Sequence, residues 1–474
     1  MSYWSLAYVV SQWAIRVIML IVATRRRRPT SAMAWLLVIF FEPWVGLVLY
    51  LLIGNYRLPT RRSVKHARLL EELKETGPQF VGHPHVTRPQ LAPELMSAVT
   101  LAERLGHMPI LGGNHVELMT RNSVLFDRVV ADIDRAERFV HLLYYIYGDD
   151  ETGRRVADAL ARAVRRGVKC RVLLDAVGSR PMLKTLGAQM ARQGIEVRAA
   201  LPVGLIRRSV ARVDLRNHRK ILIVDGRAAY AGSHNCINAS YGRKDMLWHD
   251  LSVRLTGPIV LELQAVFVGD WYFETDELLD GDEFFPTADL AGDIPAQALP
   301  SGPNYPTENY QRLLVAALHS AQRHVVMTTP YFVPDDAFMQ TIQTITLRGV
   351  EVDLVVPRRS NMPLLDAASH AYYEELLECG VRLHLYTEGL LHAKTMTIDD
   401  EIAFVGSSNF DIRSFALNFE INLLFYAPQV VGQLRAQQSR YIETSTPLDL
   451  EQWRRRPAVR RVAQNIAKLL SPLL

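Results

Sequence analysis

Two stretches of this 474-residue chain carry the same polar residues at the same spacing. The first reads His218-Arg219-Lys220, then Asp225, then Gly232-Ser233-His234-Asn235; the second reads His392-Ala393-Lys394, then Asp399, then Gly406-Ser407-Ser408-Asn409. An imidazole two residues away from an ammonium is an anion site with a nucleophile in it, and serine hydroxyls and asparagine amides can donate to phosphate oxygens. The chemistry suggested is attack on a phosphodiester. His218 and His392 would supply nucleophile and acid, Lys220 and Lys394 the cations, and Ser233, Asn235, Ser407 and Asn409 the phosphate donors. One such phrase could merely decorate a solvated strand; duplication of every polar position argues for function.

For these side chains to meet, each phrase must be a strand, a turn and a second strand. Apolar residues fill most positions after each lysine, and Asp225-Gly226 and Asp399-Asp400 are turn chemistry. Alternate side chains of a strand share a face, so His218 should point with Lys220 and His392 with Lys394. Asp225 and Asp399 complete the catalytic signature but, as strand ends, are expected to fasten the turns more than to touch substrate. The glycine of each Gly-Ser pair would let backbone approach a ligand closely. A carboxylate then follows on an apolar strand, Asp250 in WHDLSVRL and Glu420 in NFEINLLF. Buried beside an imidazole, it would orient the ring and stabilise its cation.

A longer repeat frames the phrases. Ala136-Glu137-Arg138-Phe139-Val140 matches Ala321-Gln322-Arg323-His324-Val325, Arg166-Gly167-Val168 matches Arg348-Gly349-Val350, and Gly194-Ile195-Glu196-Val197 matches Gly380-Val381-Arg382-Leu383. Helical patterns alternate with these strands, the rhythm of an α/β sheet. The expected division is a membrane anchor at 1–56, a linker with a solvated helix at 57–113, and a first half at 114–275. A connecting loop at 276–304, a second half at 305–445 and a basic amphipathic tail at 446–474 follow.

Composition narrows the class further. Apolar residues make up 49% of the chain, which excludes general disorder, and three cysteines without a CxxC exclude a disulfide framework or zinc cluster. Cys236 is expected to be a buried filler. Residues 5–24 and 32–53 are each long enough to cross a bilayer, which takes about 20 residues. Arg25 to Arg28 precede the second segment and Arg57, Arg61, Arg62 and Lys65 follow it, so both its flanks should face the cytoplasm. A hairpin turning near Glu42-Pro43 satisfies both, with Arg16 snorkelling or pairing with Glu42. Residues 205–216, and the tail from Trp453 through Arg460-Arg461 to Lys468, mix basic and apolar side chains in a way that suits an anionic lipid surface.

The doubled phrase resembles the signature of the phospholipase D superfamily. RRRRPTSAMAWLL, DLRNHRKILIVD, MTTPYFVPDD, GLLHAKTMTIDD and VGSSNFDIRSFALNFE are similar to bacterial cardiolipin synthases of the two-anchor type, a resemblance that runs end to end. It implies an α/β fold of two phospholipase D-like halves about a pseudo-twofold axis, with both histidines at one site and with neither metal nor other cofactor. The implied reaction is phosphatidyl transfer between two phosphatidylglycerols, giving cardiolipin and glycerol through a phosphohistidine. His218 would be the nucleophile and His392 the acid and base, one neutral and one protonated at rest. The implied partners are phosphatidylglycerol and anionic membrane lipids, not nucleic acid, at a bacterial inner membrane with the catalytic part cytoplasmic. Hydrolysis of the same intermediate, another phosphatidyl acceptor, or a non-catalytic lipid-binding scaffold are the rival readings. His234 departs from the methionine more usual in the family.

Overall fold

The computed structural model describes residues 3–25, 29–54, 65, 84–203, 214–242, 245–305 and 307–469. The duplicated phrases lie in duplicated sheets. In the first half the strands run in the order Glu196–Ala200, Lys169–Asp175, Phe139–Tyr144, Lys220–Val224, Ala228–Gly232, Ser252–Thr256, Leu111–Met119. The second half repeats that order with Arg382–Tyr386, Glu351–Pro357, His324–Thr328, Thr395–Ile398, Ile402–Gly406, Asn418–Phe425, Ile294–Ser301. The final strands of the two series pair antiparallel, Leu111 against Ala296, so the halves share one continuous sheet.

Local chemistry explains the repetition. The three outer strands of each series are parallel, and parallel strands need helical crossovers. The helix Glu151–Arg165 starts at Asp150, whose side chain accepts from the Gly153 N–H; Asp335 does the same for Asp336–Leu347 by accepting from Phe338. Such a cap is worth about 1 kcal/mol. Both helices end at a glycine in the left-handed region, Gly167 at φ 92° and Gly349 at φ 89°, where other residues are strained. The arginine before each glycine then ties the turn down, Arg166 to the Ile133 and Ala136 carbonyls and Arg348 to those of His319 and Ala321. Each half has an apolar cluster on one side of its sheet. A third cluster draws Leu143, Ile221 and Phe267 from the first half together with Val355, Ala403 and Ile421 from the second. The helix Ile259–Thr275, buried along most of its length, lies in that shared core, as an all-round apolar helix must.

Three expected boundaries need correction. Residues 276–304 are not all connecting loop: Ile294–Ser301 is a strand paired on both edges, between Leu111–Met119 and Asn418–Phe425. Its prolines, Pro295 and Pro300, disguise it, because proline is confined to special positions in strands. The 57–113 linker includes Met96–Gly106, whose Ala98, Val99 and Ala102 are built into the second half's core beside Leu313 and Ala317. The basic amphipathic tail expected at 446–474 is docked on the second half through its described residues, 446–469. Ser445–Pro447 adds an edge strand on Arg382–Tyr386, Trp453 packs on His370 and Tyr373, and Ala458–Leu469 lies against the helix Pro363–His370.

At the N-terminus only Tyr3–Thr24 is long and apolar enough to cross a membrane among the described residues. The second segment is broken at Glu42 into Pro29–Phe41 and Pro43–Leu49. These pieces fold back on one another: Gly46 abuts the Ile39 backbone, and the Trp35 and Tyr50 rings meet edge to face at 5.3 Å. Arg16 donates to the Phe40 carbonyl at 3.1 Å, two residues before Glu42. Most of 55–83, including the expected solvated helix, and 204–213 lie outside the described residues, as do 470–474.

Candidate functional site

The two halves are stitched together at their motifs. Arg216–Asn217 pairs parallel with Asn418–Phe419, and Leu390–Leu391 pairs parallel with Trp248–His249. The His218 N–H donates to the Phe419 carbonyl and the His392 N–H to that of His249, both at 2.8 Å. Each histidine is thus held by backbone from the opposite half, and both line one cleft.

The carboxylates cross over in the same way. His218 Nδ1 lies 2.9 Å from Glu420 Oε2, and His392 Nδ1 lies 2.6 Å from Asp250 Oδ1. With Nδ1 engaged, each ring offers Nε2 to the cleft. Both rings are steered edge to face by an aromatic neighbour at 4.7 Å, Tyr145 for His218 and Trp248 for His392.

The serines serve the carboxylates rather than a ligand. Ser233 Oγ donates to Asp250 at 2.7 Å and accepts from the Leu251 N–H; Ser407 Oγ donates to Glu420 at 2.5 Å and accepts from the Ile421 N–H. Both are fully buried and absent from the cleft wall, which corrects the expectation that they bind phosphate. The glycines before them also approach protein and not ligand: a Cβ on Gly232 would strike Ser252, and one on Gly406 would strike Asn422. The asparagines do reach the wall. Asn235 accepts from the Ile146 N–H at 3.3 Å, and Asn409 donates to Asp411 at 3.0 Å.

Asp225 and Asp399 stand away from the cleft, so they are not catalytic in the sense of touching a reacting atom. Each turns in the left-handed region, at φ 54° and 50°. Each spends its carboxylate on three successive N–H groups of the neighbouring strand, Glu137, Arg138 and Phe139 in one half and Gln322, Arg323 and His324 in the other. That is the fastening role their position suggests.

Lys220 and Lys394 lie just behind the histidines, each donating at 2.5 Å to the carbonyl of its own motif histidine. Burial pulls both ammonium groups down to about 7, against the opposing pull of Glu420 and Asp250. Burial also holds both imidazoles below their usual range, with Lys394 adding to the effect at His392. The carboxylates are ionised, Asp250 and Glu420 being drawn down by the histidines and lysines in spite of burial. Burial thus works against the charged form of both rings, while the Glu420 and Asp250 carboxylates favour it.

Several cleft residues carried no recognisable sequence signal. Tyr145, Trp248, Tyr241 and Tyr331 look like core aromatics, and Arg413 sits in an ordinary helix start. Arg216 could have been singled out by its place two residues before His218; it is held by Asp175 at 3.2 Å, a carboxylate that also accepts from Val177, Gly178 and Asn217. His234 packs behind the wall with Nδ1 2.9 Å from Ser252 Oγ. Cys236 is fully buried, and burial raises its thiol well above the usual value, as suits an inert filler.

Comparison with known proteins adds to this geometry. A family described as "Cardiolipin synthase, PLD-like domain" matches residues 129–271 and 314–442, and one described as "Phospholipase_D-nuclease N-terminal" matches 13–55. The chain is 36% identical to cardiolipin synthase A of Proteus mirabilis over 96% of this chain and 95% of that relative. It is 35% identical to cardiolipin synthase A of Serratia proteamaculans over 100% of this chain and 97% of that relative. Among solved structures, phosphatidylserine synthase of Haemophilus influenzae superposes with a TM-score of 0.61 at 14% identity, over 79% of this chain and 97% of its own. That likeness is one of fold.

Proposed function

The chain belongs to the cardiolipin synthase family of phospholipase D-like phosphatidyltransferases, and on that premise we propose that its cleft joins two phosphatidylglycerols into cardiolipin with release of glycerol. The observation that carries this reading is two imidazoles on one cleft, each with its Nδ1 held by a buried carboxylate of the other half.

His218 attacks the donor's phosphorus and the glycerol oxygen departs. His392, protonated as the anionic donor binds, passes its proton to that oxygen. The terminal hydroxyl of a second phosphatidylglycerol then attacks the phosphohistidine, returning its proton to His392 and freeing His218. Lys220 and Lys394, when protonated, supply positive charge behind the reacting phosphate, where its oxygens gain negative charge in the transition state. Asn235 and Asn409 border the same space. A cleft of about 380 Å³ has room for headgroups and not for acyl chains, so the chains remain in the membrane. Purified enzyme given phosphatidylglycerol alone should yield cardiolipin and glycerol in equal amounts; phosphatidic acid as the main product would overturn the reading in favour of hydrolysis.

The chain is membrane-associated, as its family and its apolar N-terminal helix indicate. We place it in a bacterial inner membrane with the catalytic halves cytoplasmic. The fold-back at Glu42 supports a hairpin whose two ends lie on one side. The C-terminal helix Ala458–Leu469 supports the same orientation: Val459, Val462, Ile466 and Leu469 are exposed along it, beside Arg460, Arg461 and Lys468. Such a face suits an anionic bilayer surface. A cysteine placed at one of positions 25–28, between the two apolar segments, should be shielded from an impermeant thiol reagent added outside intact cells, and ready labelling there would sink the hairpin.

A further inference from the structure

In the proposed reaction the phosphorus meets paired groups from the two halves, His218 and His392 and Asn235 and Asn409 on the cleft wall, with Lys220 and Lys394 behind them. A group treated so evenly by both halves sits on their pseudo-twofold axis. The cleft wall is not even. Arg216 and Arg413 both line it, and they belong together: Arg413 donates to the Asp214 carbonyl at 2.8 Å, two residues before Arg216. Counting back two residues from the motif histidine of the other half gives Leu390, which is fully buried. Counting four beyond the motif asparagine gives Arg413 in one half and Ala239 in the other. The first half's own contribution to the wall includes Tyr241 and Trp248, stacked at 4.0 Å.

Two guanidinium groups without counterparts serve something that lies off the axis. We infer that Arg216 and Arg413 form a second phosphate subsite, which holds the acceptor lipid's own phosphodiester while its terminal hydroxyl attacks. This inference rests on the proposed reaction. Cardiolipin carries two phosphates joined by one glycerol, so the second phosphorus lies about 6 Å from the first by covalent geometry, which keeps it in the same headgroup-sized cleft. Arginine suits the task because its planar fork binds a phosphate through two parallel hydrogen bonds. Asp175 fixes Arg216 in place, and the short helix Ile412–Ala416, capped by Asp411 through the Ser414 N–H, fixes the start of Arg413. The subsite also gives a lipid acceptor an advantage over water, which has no phosphate to hold.

The test separates acceptor binding from donor chemistry. Exchange of radiolabelled glycerol into phosphatidylglycerol passes through the same phosphohistidine but uses a neutral acceptor with no second phosphate. Arg413→Gln should lower cardiolipin formation by about tenfold more than it lowers glycerol exchange, the loss of one charge-assisted hydrogen bond to phosphate. The deficit should show as a higher apparent KM for phosphatidylglycerol in cardiolipin formation, and Arg413→Lys should recover part of it. Equal loss of both activities, or no loss of either, would overturn the subsite. Failure of the wild-type protein to form any cardiolipin, with exchange intact, would instead overturn the reaction on which it rests.

Discussion

Alanine at His218 or at His392 is expected to lower cardiolipin formation by about 10⁴-fold or more, since a displaced nucleophile or proton donor has no substitute here. Both imidazoles are buried, and each is the cleft-facing end of a carboxylate–histidine pair. The two variants should differ in what they still do. A phosphatidyl ester of a good leaving group, such as p-nitrophenol, needs no protonation to depart. His392→Ala should therefore release a burst of p-nitrophenol as phosphohistidine accumulates on His218, whereas His218→Ala should give none. Acid-sensitive label recovered in the His218 peptide would complete the assignment. Label on His392 would reverse the two roles, and activity within tenfold of wild type in either variant would remove that ring from the chemistry. Thermal unfolding of each variant distinguishes loss of chemistry from loss of fold.

Much of this molecule was legible because duplication is a physical fact before it is a historical one. The match of Arg166-Gly167-Val168 to Arg348-Gly349-Val350 marks the end of a crossover helix in each half, with the same glycine conformation and the same arginine anchoring the same turn. Asp225 and Asp399 could be read as turn residues because a strand end followed by a polar pair leaves little else for them to do. What stayed hidden depended on tertiary pairing. Nothing in WHDLSVRL or NFEINLLF says that its carboxylate serves the histidine of the other half. Ser233 and Ser407 look like phosphate donors until the buried carboxylates beside them are seen to occupy their hydroxyls. The strand Ile294–Ser301 escaped notice because its prolines and small residues resemble a loop, and only its place between two paired neighbours makes it a strand.

The crosswise wiring has a consequence that a pair of independent halves would not show. Glu420→Gln, a change in the second half, should disable the histidine of the first. The amide fits the same volume, but it presents either an oxygen without charge or an NH₂ group to His218 Nδ1, so it cannot stabilise the imidazolium and can favour the wrong tautomer. Loss of such an orienting carboxylate costs about 10²- to 10⁴-fold in other histidine-dependent sites. A pH signature should accompany the loss. Glu420 is the largest of the charges that hold the Lys220 ammonium up against burial. Removing it lowers that lysine further below 7, so its positive charge is lost at a lower pH. The alkaline fall of kcat/KM, which reports the free enzyme, should move to lower pH in Glu420→Gln. By the same argument Asp250→Asn should act on His392 and move the titration of Lys394, for which Asp250 is the largest supporting charge. Combining Glu420→Gln with His218→Ala should cost little more than His218→Ala alone, because the carboxylate has lost the ring it serves. If the double variant instead multiplied the two losses, Glu420 would be acting apart from His218, and if Glu420→Gln left the alkaline limb unmoved, Glu420 would not be what holds the Lys220 charge.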